Sequence, residues 1–204
     1  DFAIIVRSLE NYIGNLDMAL QRWEIPCFMD LPQSIEAEPL MHFVLNAFKI
    51  VRFGFRSDDI FSYLKTGLCG FTTEEISLLE NYTFLWKING KKWRECWTEN
   101  PQGFVQNVTE QQMEQLKLLN SLREKITQPL ITFSERIRET NGEEIAKAVF
   151  LLLEEVQVAK HLKQLYFNLK EYGKLGEAEE QLRLWDLLMD LLDQSALILG
   201  KKTV

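Results

Sequence analysis

From residue 36 to residue 199 most apolar side chains recur at spacings of three and four, apart from an ordered but irregular excursion expected over 88–108 around the Asn89-Gly90 and Asn100-Pro101 turns, and strand signals nearly vanish. A chain patterned this way is confined to helices, because only the 3.6-residue period gathers such positions onto one buried face. Leu40, Phe43, Val44, Ala47, Phe48 and Val51 define the face of a helix over 36–53. Ser57-Asp58-Asp59 caps a short helix ending at Leu64, and Thr72-Thr73-Glu74-Glu75 resembles a capping box that opens another, to about Lys87. Residues 109–140 read as a long helix interrupted or kinked near Pro129, with Asn141-Gly142 as its C-cap and turn. A second long helix spans 143–172, and a third spans 177–199 with Leu182, Trp185, Leu188, Met189, Leu192 and Leu199 facing inward. Three long helices joined by short turns favour an antiparallel bundle.

The first thirty or so residues have a different character. Residues 2–6 are a continuous apolar, β-branched run, the pattern of a short strand buried on both faces of a parallel sheet. Ser8 is placed to cap a following helix, along which Tyr12, Ile13, Leu16, Ala19, Leu20 and Trp23 form one stripe before Pro26 ends it. Residues 26–29 then read as a second parallel strand, giving a βαβ start. Two strands do not make a stable parallel sheet, so the rest of that sheet is expected from outside this sequence. The opening on Asp1, with neither an initiator Met nor the basic start of a signal peptide, leads to the same expectation of an interior stretch.

Composition narrows the function classes. Hydrophobic residues at 46% and charged residues at 26% are ordinary for a globular chain. The longest apolar run, residues 148–153, falls far short of the roughly 18 residues a membrane span needs. A formal charge of -7 argues against a surface that binds nucleic acid everywhere, although a local basic patch is compatible with it. Cys27, Cys69 and Cys96 are odd in number and not in CxxC spacing, so neither a disulfide framework nor a zinc site is indicated. A reducing, cytoplasmic setting is expected.

Catalytic patterns are missing from the sequence: no phosphate loop of the GxxxxGK[ST] type, no GxSxG elbow, no HExxH. His42 and His161 stand alone within helical segments, and a lone His is not a constellation. The pairs Asp58-Asp59, Glu74-Glu75 and Glu143-Glu144 sit at expected first turns of helices, where the exposed amides already account for carboxylates; Glu179-Glu180 is a further acidic pair. The segment from Trp86 to Trp97 is more informative, since Lys87, Lys91, Lys92 and Arg94 interleave with Trp86, Trp93 and Trp97 around an Asn89-Gly90 turn. Cations for phosphates and an exposed Trp93 for stacking on a base would suit nucleic acid. In the alternative reading, the commoner use of Trp, the indoles pin an irregular loop onto the bundle and the charges are merely solvated.

Several of these stretches together resemble a known family. Residues 1–7, a helix, and then Glu24-Ile25-Pro26-Cys27-Phe28-Met29-Asp30 resemble the opening of the second RecA-like domain of UvrD-like superfamily 1 helicases. Leu64-Lys65-Thr66-Gly67-Leu68, Leu79-Glu80-Asn81-Tyr82 and Gly90-Lys91-Lys92-Trp93, in that order, resemble the AddB (RexB) family of AddAB helicase-nuclease subunits. The motifs cover about the first half; from Thr109 onward the likeness is of helical character alone. The resemblance implies residues 1–50 as the start of a RecA-like domain and residues 51–204 as a helical, 2B-like insertion. It implies a non-catalytic, DNA-handling and subunit-docking role in double-strand-break processing alongside an AddA-type subunit, with ATP, Mg2+ and an iron-sulfur cluster bound elsewhere in the family's chains. Arg7 and Ser8 carry over as DNA contacts, while Leu9 departs from the Asn that such helicases often place there. A purely structural protein-interaction domain with no DNA contact is the competing function.

Overall fold

The computed structural model describes residues 2–12, 14–27, 35, 38–104, 109–138 and 140–200. These residues include eight α-helices, and the chain divides into two compact units, Asp1–Ile35 and Glu36–Val204. The fold is mainly helical, as the periodicity requires.

Among its described residues the first unit holds a 3-10 turn, Leu9–Tyr12, and one short helix, α1 (Leu16–Arg22), none of whose residues is buried. The strand expected over residues 2–6 is not formed: the backbone there is irregular, and Phe2 and Ile5 are almost fully exposed. A parallel strand takes its ladder hydrogen bonds from neighbouring strands, and no strand occurs among the described residues. The long helix expected after Ser8 is likewise reduced to the 3-10 turn and α1, separated near Gly14, whose positive φ breaks the helical path. The second expected strand, 26–29, lies partly outside the described residues.

The second unit is built from α2 (Pro39–Arg52), α3 (Ser57–Leu64), α4 (Thr73–Leu85), α5 (Glu110–Arg136), α6 (Gly142–Glu155), α7 (Val158–Glu171) and α8 (Leu175–Leu199). Pro39 fits the first turn of α2, where its missing N–H costs nothing, and Leu40, Phe43, Ala47 and Ile50 then bury one face. The capping box read at Thr72 is present: the Glu75 amide donates to Thr72 Oγ1 at 3.2 Å and the Thr72 amide to Glu75 Oε2 at 2.8 Å. Thr109 and Gln112 form a second box at the start of α5. That helix continues through Pro129 without the expected interruption. Buried Ile126, Leu130 and Phe133 flank the proline, and their packing offsets the one ladder bond it cannot make.

Two further expectations are corrected. Residues 143–172 are two helices, because Gln157 adopts a left-handed conformation (φ 59°) that ends α6 and starts α7. Asn141, read as the end of α5, instead caps α6 by accepting from the Glu144 amide at 3.0 Å. On α8 the buried stripe runs through Ala178, Gln181, Leu184 and Leu188, leaving Leu182 and Leu199 exposed. Leucines occur nearly all round α8, so hydrophobicity alone does not single out its inner face. Packing links α2 to α3 and α5, α5 to α6, and both α6 and α7 to α8, around a core that includes Phe43, Ile50, Leu119, Phe133 and Leu152. Among the described residues no helix is long and apolar enough to cross a membrane.

Candidate nucleic-acid interface

The basic, Trp-rich segment follows directly from the end of α4. Trp86 caps that helix, Lys87 turns left-handed (φ 49°), and Gly90–Arg94 form a 3-10 turn. Little of this is regular secondary structure, so its backbone groups must find partners elsewhere. Gly90 donates its amide to the Phe55 carbonyl at 3.0 Å, and the Ser57 amide donates to Asn89 Oδ1 at 2.9 Å. On the other side, α5 supplies Asn120, which brackets Trp97 by accepting from its amide and donating to its carbonyl, both at 2.9 Å. One turn further on, the buried Arg123 donates to the Trp93 carbonyl at 3.2 Å.

The indoles complete the attachment. Trp93 is fully buried, edge-on to Phe61 and Trp97, and its Nε1–H donates to Ser57 Oγ at 2.9 Å. Trp97 stacks on Tyr82 with ring centroids 4.9 Å apart and donates its Nε1–H to the Lys92 carbonyl at 2.9 Å. Trp86 donates to the Asn100 carbonyl at 2.9 Å. Burial of large rings whose polar edges are satisfied is the anchoring arrangement. The stacking role considered for Trp93 is therefore corrected: with no exposed face, its ring cannot receive a base.

The cations are arranged differently. Lys87, Lys91, Lys92 and Arg94 are all exposed. The Lys92 ammonium lies 3.4 Å from the carbonyls of Trp86 and Lys87, and the Arg94 guanidinium sits 4.3 Å over the Phe55 ring. Glu95 is the acidic residue within this run. In the first unit, Arg7 is exposed at a bend and Ser8 is half-buried. The sequence reading missed Asn120 and Arg123, two polar residues among the buried apolar positions of α5; their only signal was that placement. It also missed Phe84, which is 88% exposed beside Lys87.

The remaining candidates carry no reactive arrangement. Burial pushes the Cys69 thiol up to about 12, which leaves it without thiolate character. His161 packs against Gly70, and its pKa is lowered first by burial and then by the Lys160 and Lys125 charges. His42 is exposed on α2. Among the described residues no three His, Cys, Asp or Glu side chains gather to hold a metal ion. Cys69 is buried whereas Cys27 and Cys96 are exposed.

Comparison with known proteins gives a consistent result. The chain is 30% identical over 196 residues, 95% of its length, to the B-type subunit of the ATP-dependent helicase/deoxyribonuclease of Clostridium novyi. It is 29% identical over 209 residues to the protein of that name in Clostridium acetobutylicum, and 28% identical over 207 residues to that of Caldanaerobacter subterraneus. The similarity continues through the long helices beyond Thr109. The chain spans 16% of the length of the first of these relatives and 18% of the other two. No family model matches the chain.

Proposed function

We propose that this chain, which is homologous along its whole length to part of the AddB-type helicase/deoxyribonuclease subunit, serves as a non-catalytic segment that handles DNA and docks a partner subunit. In this reading residues 1–50 belong to a RecA-like layer and residues 51–204 to a 2B-like helical insertion. The observation that carries the reading is the display of Lys87, Lys91, Lys92 and Arg94 on a loop fixed by buried Trp93 and Trp97, on a chain of formal charge -7. Phosphates are attracted locally and positioned, and no bond is made or broken here. In the first unit, taken by itself, Arg7 and Ser8 are further DNA contacts in this reading; ATP, Mg2+ and the iron-sulfur cluster are held elsewhere in the parent protein, and the compartment is the cytoplasm.

Support for docking comes from an apolar groove of about 820 Å³ where α2 and α5 end, walled by Leu45, Phe48, Val51, Phe53 and Ile137. An AddA-type subunit is the partner in this reading. Binding of the chain to forked DNA, followed by fluorescence anisotropy, tests the DNA role. The logarithm of affinity should fall with the logarithm of salt at a slope of about -3 to -4 if all four cations engage phosphates. Combined Lys91→Glu, Lys92→Glu and Arg94→Glu substitution should abolish the binding. Salt-insensitive or absent binding at low ionic strength would remove the DNA role and leave a purely structural interaction domain.

A further inference from the structure

With Trp93 and Trp97 buried, the loop keeps its cations but loses the aromatic surfaces first considered for it. Phe84 supplies one. It is the next-to-last residue of α4, and Tyr82 and Thr83 just before it are buried, so the backbone that carries the ring is fixed to the core. Together with Leu85, Lys87, Ile88, Asn89 and Arg56, among others, it lines a groove of about 550 Å³. The Lys87 amide donates to the Phe84 carbonyl at 3.4 Å, which places the two residues on one turn. The Lys92 ammonium reaches the Lys87 carbonyl at 3.4 Å and brings a second cation to that side. Asp58 also lines the groove, and Arg56 is held by Asp58 and Asp59 at 3.8 Å each, so the positive edge is the one formed by Lys87 and Lys92.

A phenyl ring left almost fully in water beside two exposed lysines suits a ligand with a flat apolar face and an anionic backbone. An unpaired nucleotide has both. In a duplex the base faces are already stacked on one another, so the fit is to single-stranded DNA. We infer that Phe84 is the platform on which an unpaired base stacks, with the adjoining phosphates led along Lys87 and Lys92. The inference rests on the DNA-handling reading above and names the form of DNA that reading would take. The competing occupant, an apolar side chain of a protein partner, is less well matched to a small apolar wall with two lysines at its edge.

The test uses the 204-residue chain and fluorescein-labelled oligo-dT, with a blunt duplex of equal length as the second probe. Phe84→Ala should weaken oligo-dT binding by about 5- to 150-fold, the range for loss of one stacked base, and leave the salt slope unchanged. Phe84→Trp should restore the affinity. Lys87→Ala should instead reduce the slope by about 0.7, one phosphate contact on a single strand. Far-ultraviolet circular dichroism identical to the parent chain confirms that each variant is folded. If the parent chain binds neither probe at low salt, the DNA-handling reading fails. If it binds oligo-dT and Phe84→Ala binds equally well, or loses duplex and oligo-dT binding in equal measure, stacking on Phe84 is overturned while that reading stands.

Discussion

Residues 2–6 and residues 87–97 differ in opposite ways from what their sequences promise. The first stretch is apolar and β-branched, yet it forms no strand and leaves Phe2 and Ile5 in solvent. The second is polar, contains a Gly and has little regular structure, yet Trp93 and Trp97 are buried in the core. The contrast shows that order follows from partners. A strand-like run needs a neighbouring strand to pair with, whereas an irregular loop needs only enough large rings to bury and a donor or acceptor for each backbone group. For the loop those partners include Ser57, Asn120 and Arg123, and its lysines are left exposed.

Substitution of Trp93 should widen the contrast most. Trp93→Ala removes a fully buried ring and leaves Ser57 Oγ without its donor, so a loss of about 3–5 kcal/mol is expected from urea unfolding. That is a large part of the stability of a domain this size. Asn120→Ala should cost less, about 1–3 kcal/mol, because it removes the acceptor for the Trp97 amide and the amide donor to its carbonyl without opening a large cavity. The double change Phe2→Ala and Ile5→Ala should alter the unfolding midpoint least, by no more than about 0.5 kcal/mol equivalent, since neither side chain is packed. A destabilisation by this last pair comparable to that of Trp93→Ala would show that the N-terminal stretch is packed after all, and would break the comparison.

Much of the architecture could be read from the residues. Helical spacing located α2, and Thr72 and Glu75 announced the start of α4, because caps and periodicity are local properties. The cap read at Ser57 is corrected, since α3 begins after Arg56 without a side-chain cap bond and the Ser57 hydroxyl turns to the Ile88 carbonyl and the Trp93 indole. The α6–α7 break could not be read, since Gln157 takes up a left-handed conformation without a Gly or Pro to signal it. Its cause is tertiary: α6 and α7 each lie against α8. The inner face of α8 was misread for the related reason that its leucines surround the helix. At the candidate interface the four cations were legible from composition, but whether a Trp is an anchor or a platform depends on what covers it. The sequence around Trp93 and that around Phe84 carry no mark of which ring is buried.

The claim on which the functional reading depends is that the loop is a fixed platform for its charges. Amide hydrogen exchange, followed by mass spectrometry on peptides covering residues 87–97 and 2–8, measures this directly. Ile88, Gly90 and Trp97 donate their amides to Thr83, Phe55 and Asn120, so the loop peptide should keep protected amides long after residues 2–8 have exchanged completely. Exchange of 87–97 as fast as that of 2–8 would contradict the account, because cations on an unfixed loop could not be positioned against phosphates by the bundle.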